Sequence, residues 1–137
     1  MKTVERLIEE TGVDLAELGR LDEALECFER AVALRPQTRD AQLNLMQLLL
    51  RMGRVDKAIR TAERGLLHIA DGAELHVNLG SVFAARGELE KALHHFDAAL
   101  RVDPNHREAR RFRAAVEDRL RKRSASEAPR ATEGPKD

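Results

Sequence analysis

The side chains best suited to chemistry are His68, His76, His94, His95 and His106, the single Cys27, Ser81, and 24 Asp and Glu residues. Their spacing builds no reaction centre. The HExxH pattern of a zinc hydrolase is missing. His94 and His95 are adjacent, so a helix sends them about 100° apart, a poor arrangement for sharing one ion. Each histidine reads as a packing or solvent-facing side chain, His76 as packing. Ser81 has no histidine at helical spacing to activate it. A reactive thiol needs an electropositive setting, whereas Cys27 has Glu23, Glu26 and Glu29 as neighbours. One cysteine permits neither a CxxC pair nor an intramolecular disulfide, which fits a reducing, cytoplasmic setting. Gly19, Gly53 and Gly87 stand alone and make no phosphate-cradling loop. No enzyme activity, catalytic residue, cofactor or metal is expected.

The bulk properties narrow the partners. Lys and Arg also number 24, for a net charge of zero. That balance gives nucleic acid or a membrane surface no long-range attraction. The start, MKTVERLIEE, has no apolar run, so no secretory signal is expected. The most apolar stretch, LNLMQLLL at residues 43–50, is far shorter than the roughly 20 residues of a membrane span. Charged residues make up 35% of the chain and aromatics 3%, so its core must be Leu, Ala and Val.

The positioning elements are helices. Between residues 73 and 104, Leu75, Leu79, Val82 and Phe83 fall at helical spacing. Gly87 interrupts them. Leu89, Ala92, Leu93, Phe96, Ala99 and Leu100 then form a second stripe, stopped at Pro104. Gly80 sits inside the first helix, where glycine costs roughly 1 kcal/mol relative to alanine. A close neighbour is therefore expected there. A hairpin this short cannot bury both stripes and needs copies of itself.

The copies are present. Gly19 to Gly53 and Gly53 to Gly87 are both steps of 34 residues. The same step relates Ala24, Ala58 and Ala92, then Phe28, Ala62 and Phe96, then Pro36, Ala70 and Pro104. Three contiguous units follow, at residues 5–38, 39–72 and 73–106. The pattern resembles the tetratricopeptide repeat (TPR) over about three quarters of the chain. The third unit carries it most fully, as His76, Leu79, Gly80, Phe83, Gly87, Ala92, Phe96, Ala99 and Pro104, with His76 where the family has tryptophan. The first offers Ile8, Thr11, Gly12, Leu15, Gly19, Ala24, Phe28, Ala31 and Pro36. The second is the most divergent, with Gln42, Leu45, Met46, Leu49, Gly53, Ala58, Ala62, Gly65 and Ala70.

The resemblance implies an all-α solenoid of three helix-turn-helix units plus a C-terminal capping helix. The domain is expected over residues 1–122, with the cap at 106–122. Asn105 with Glu108 is the expected start of that helix. Residues 123–137, SASEAPRATEGPKD apart from the leading Arg123, are small, polar and aperiodic, and are expected to be disordered. In the second unit, Met46 is expected to fill volume vacated at Ala62. Ala70 lacks proline's stop signal, so its helix is expected to run on towards Asp71–Gly72. Asp71 and Glu74 then form the next cap.

The resemblance also implies a concave groove made by the first helix of each unit, where the family binds a peptide or a partner's helix. Its groove positions correspond here to Arg6, Glu9, Glu10, Val13, Ala16 and Glu17. They continue as Asp40, Leu43, Asn44, Gln47, Leu50 and Arg51, and as Glu74, Val77, Asn78, Ser81, Ala84 and Ala85. Asn44 and Asn78 repeat at one position and resemble the asparagine ladder of some peptide-binding TPR proteins. A side-chain amide both donates and accepts, so it can bracket a peptide bond. The alternative is that both amides bond within the stack. Leu43, Leu50 and Val77 suggest an apolar patch, unless neighbouring helices cover them. The family's carboxylate clamp of lysine, asparagine and arginine maps onto Glu9, Val13, Asn44, Glu74 and Asn78. Only Asn44 agrees, and Glu9 and Glu74 repel a carboxylate.

A protein or peptide ligand with apolar and basic character is therefore expected, held by a non-catalytic adaptor or scaffold. Two other readings stand beside it. One is a small TPR chaperone for secreted proteins. The other is self-association by end-to-end stacking, since residues 5–38 hold nine acids against four bases and residues 107–122 hold seven bases against three acids.

Overall fold

The computed structural model describes residues 1–127. Seven helices follow one another: α1 (Val4–Glu17), α2 (Leu21–Leu34), α3 (Arg39–Arg51), α4 (Val55–Gly65), α5 (Ala73–Ala85), α6 (Leu89–Val102) and α7 (Arg107–Glu127). They pair as hairpins α1–α2, α3–α4 and α5–α6, with α7 laid over α6. α2 lies against α3, and α4 against α5, so the hairpins stack in sequence order. This is the three-unit helical solenoid, with a closing helix, that the 34-residue register demands.

Each hairpin turns in the same way. Gly19, Gly53 and Gly87 have φ of 79°, 76° and 79°, a backbone region that suits glycine. The Gly19 amide donates to the Ala16 carbonyl at 3.0 Å, and the Arg20 amide to the Leu15 carbonyl at 2.9 Å. Gly53 and Arg54 repeat this bonding, as do Gly87 and Glu88. It is the two-bond helix terminus that only a left-handed residue permits.

Close packing explains the glycines inside helices. A Cβ on Gly12 would lie 2.6 Å from the Phe28 ring, and one on Gly80 2.6 Å from the Phe96 ring. The middle hairpin reverses the sizes: Met46 replaces the glycine and Ala62 the phenylalanine. Both are almost fully buried, in one core cluster. The thioether is thus inside the stack, where flexible Met fills irregular space.

Three helix ends differ from the sequence expectation. α4 stops at Gly65 and does not run on to Asp71–Gly72. The Leu67 amide bonds to the Arg64 carbonyl and the His68 amide to the Gly65 carbonyl, tightening the end into a turn. A Cβ at Gly65 would meet the end of the Gln42 side chain, so the glycine leaves room for that buried amide. Glycine is also a weak helix position, which favours an end there. α5 is preceded by Gly72 as N-cap, not Asp71. Asp71 stands one residue earlier, where one carboxylate oxygen accepts from the Ala73 amide at 3.4 Å and the other pairs with Arg39 at 3.0 Å. α7 starts at Arg107, and His106, not Asn105, caps it: its Nδ1 accepts from the Ala109 amide at 3.2 Å.

The closing helix is also longer than expected. It continues through Glu127, five residues into the stretch read as disordered from residue 123. Arg123 forms an ion pair with Glu90 on α6, which ties this last turn to the stack. The rest of that stretch, residues 128–137, lies outside the described residues.

Candidate functional site

The first helices of the three hairpins, α1, α3 and α5, line one side of the solenoid in a row. Their mutual contacts place α3 against both α1 and α5. A depression of about 400 Å³ opens between α1 and α3, lined by Arg6, Glu9, Glu10, Val13, Asp14, Asp40, Leu43, Asn44 and Gln47. It continues past Val13, Ala16, Glu17, Asn44, Gln47 and Arg51. Between α3 and α5 a third hollow is lined by Gln47, Leu50, Asn78, Ser81, Val82 and Ala85. Shared residues Val13, Asn44 and Gln47 join these hollows into one strip.

Most of the sequence-derived groove residues therefore come together. Two do not. Val77 is 4% exposed, so it belongs to the core and not to an apolar patch. It sits one residue before Asn78, and helix rotation turns it away from the strip. Glu74 is exposed at the start of α5, 3.6 Å from His106 Nε2, and faces the α7 side. Leu43 and Leu50 are half-buried and rest against the core, so only part of each meets solvent.

The strip is acidic at its α1 end. The Glu9 carboxyl is held above the ordinary carboxylate value, first by burial and then by Asp40 across the groove. Arg6 opposes this, while Glu10 and Glu5 add to it. One Glu9 carboxylate oxygen is buried with no hydrogen-bond partner among the described residues. Glu10 is already committed: Lys2 donates to it at 2.9 Å and holds its carboxyl below the usual range. Two like-charged carboxylates, Glu9 and Asp40, thus face the same space, with Arg6 also lining it and Arg39 3.9 Å from Asp40.

The polar groups along the strip divide into used and unused. Arg51 Nη1 donates to the Ala16 carbonyl at 3.1 Å, and Arg119 repeats this on the Ala84 carbonyl at 3.3 Å. Gln42 donates to the Pro36 carbonyl at 2.9 Å. Among the described residues the side-chain amides of Asn44 and Asn78 make no hydrogen bond within the chain. They remain available to a ligand.

One cluster escaped the sequence reading. His76 on α5 and His95 on α6 bring their Nδ1 atoms to 3.0 Å. Phe83 stacks on His95 with ring centroids 5.4 Å apart, and His94 meets the His95 edge. The pair lies 19 residues apart, and helical spacing within one element cannot reveal it. Among the described residues no group of three or more His, Cys, Asp or Glu side chains is placed to hold a metal ion. No helix there is long and apolar enough to cross a membrane.

Two family models, both for the tetratricopeptide repeat, match residues 15–79 and 73–106. Together they span well over half of the sequence. The chain belongs to the TPR family. TPR domains are protein-interaction modules, and the fold belongs to a family of non-catalytic binders. No curated protein matches this TPR chain at a significant level of sequence similarity.

Solved TPR structures share its architecture. The first TPR of Spaghetti (RPAP3), solved with the HSP90 peptide SRMEEVD, superposes with a TM-score of 0.73 at 19% identity, covering 85% of this chain and 93% of that one. The second TPR domain of human RPAP3, solved with the HSP70 peptide SGPTIEEVD, gives 0.68 at 16% identity, covering 82% and 98%. The Sgt2 TPR domain from Aspergillus fumigatus gives 0.75 at 14% identity, covering 99% and 88%. At these identities the likeness is one of fold.

Proposed function

We propose that this TPR chain is an adaptor that binds an extended, basic and partly apolar segment of a partner protein along the α1–α3–α5 strip. The observation carrying this reading is the meeting of Glu9, Asp40 and the unused Asn44 amide in one hollow. A lysine or arginine of the ligand relieves the repulsion between the two carboxylates and pairs the orphaned Glu9 oxygen. Asn44 and Asn78 bracket the ligand backbone, and Val13, Leu43 and Leu50 offer it apolar surface. Glu17, Gln47, Arg51 and Ser81 rim the strip, with Glu74 beyond its far end. The lone Cys27 suits a reducing compartment such as the cytoplasm.

The chaperone-tail peptides bound by the RPAP3 domains end in EEVD. The resemblance maps part of the family's carboxylate clamp onto Glu9 in this hollow, and that acid with Asp40 beside it repels an acidic terminus. That supports a basic ligand in place of an acidic one.

The experiment is fluorescence anisotropy with labelled peptides. Extended Leu- and Lys-containing peptides are compared with SRMEEVD, on the wild-type chain and on Asn44→Ala/Asn78→Ala. The expected result is binding of the basic peptides, loss on the double variant, and retained helical circular dichroism. Tighter binding of SRMEEVD than of every basic peptide overturns the reading.

A further inference from the structure

We propose that the open end of the first hairpin docks the α7 end of a second copy of this chain, head to tail. Equivalent positions in successive repeats differ in exposure. Leu7, Ala41 and Leu75 share one place; Ala41 and Leu75 are fully buried, whereas Leu7 is 51% exposed. Thr11 is exposed, whereas Leu45 and Leu79 at the same place are buried. Val4, nearly one turn before Leu7, is 65% exposed. The cause is positional. α2 covers this face of α3 and α4 covers it on α5, but among the described residues no helix covers it on α1. The first hairpin therefore presents a surface shaped like the ones that receive a helix inside the stack.

Charge selects the occupant. Residues 5–38 hold nine acids and four bases, while α7, Arg107–Glu127, holds eight bases and four acids. Asp14 borders the uncovered stripe and makes no ion pair among the described residues. Arg107, Arg110 and Arg111 on α7 are exposed and likewise unpaired among those residues. Ala114 and Ala115, exposed beside them, let another helix approach closely. Two first-hairpin ends facing each other would set acid against acid, so a symmetric pair is disfavoured. A head-to-tail contact leaves one free head and one free tail, so it grows beyond a dimer, into rows or a closed ring. This contact shares Asp14 with the rim of the α1–α3 hollow, and its test does not depend on the ligand of that hollow.

Sedimentation velocity of the full chain, over a concentration series at low and high salt, tests the proposal. The expected result is a sedimentation coefficient that rises with concentration at low salt and falls back to the monomer value at high salt. Leu7→Lys blocks one end, and Arg110→Glu/Arg111→Glu blocks the other. Each variant alone is expected to stay monomeric. Their mixture is expected to form dimers and nothing larger, because one intact head meets one intact tail. All these residues are exposed, and circular dichroism verifies folding. A monomeric wild type at every concentration overturns the proposal. So does association that survives the α7 substitutions, or a variant mixture that stays monomeric.

Discussion

His76 and His95 meet Nδ1 to Nδ1 at 3.0 Å across the α5–α6 hairpin, a contact that only a pair sharing one proton between those atoms can make. Burial and the neighbouring histidines hold both below the ordinary value of 6.5, His95 at about 4. Phe83 and His94 pack on this pair, and Arg101 bears on His76. No carboxylate enters the causes of either shift.

The sign of the pH dependence follows. The unfolded chain takes up protons at these histidines near 6.5, before the folded chain does. Stability is therefore full above that value, declines as pH falls through the interval, and stops declining below about 4. Glu9 acts oppositely, since its raised value makes the folded chain the stronger proton binder. The upper half of the interval, above the carboxylate range, isolates the histidines. Urea unfolding midpoints measured there are expected to fall with pH, and His95→Leu is expected to flatten the trend. An unchanged slope in His95→Leu contradicts the assignment.

Gly80→Ala is expected to destabilise the chain by about 1–3 kcal/mol, since its new methyl would enter the Phe96 ring, a rigid neighbour. Phe96→Leu in the same chain is expected to recover part of that loss. Thermal unfolding of the single and double variants measures the coupling. Additive losses would show that the ring and the glycine are not in contact.

Gln42 and Gly65 form a second such pair, with an instructive reversal. Gly65→Ala alone is expected to be unfavourable because its methyl collides with the Gln42 amide. In a Gln42→Ala background that collision disappears. There, Gly65→Ala is expected to add up to about 1 kcal/mol through helix propensity. It is also expected to raise the helical circular dichroism signal by lengthening α4. A Gly65→Ala effect of one sign in both backgrounds contradicts this account.

Glu9→Gln separates stability from binding. Removing a charge that faces Asp40 is expected to leave the free chain as stable or slightly more so, by a few tenths of a kcal/mol. Affinity for a lysine-containing peptide is expected to drop several-fold, and its salt dependence to weaken. Urea unfolding and anisotropy titrations at two salt concentrations check both halves. Unchanged affinity would remove Glu9 from the ligand contact.

The sequence alone determined the stacked hairpins. Gly19, Gly53 and Gly87 mark turns through their own backbone preference. The small residues at Ala24, Ala58 and Ala92 mark helix contacts through size. These signals are local and recur every 34 residues, so one unit confirms another. The first-helix positions that line the α1–α3–α5 hollows were legible for the same reason, with Glu74, Val77 and Ala84 as exceptions. Only the tertiary structure decided the rest. Val77 sits in the core, His76 meets His95, α4 stops at Gly65 beside Gln42, and α7 runs to Glu127 with Arg123 paired to Glu90. Each depends on how deep a helix sits or which residue a neighbouring helix presents. Such contacts join positions that no periodicity within a single helix relates.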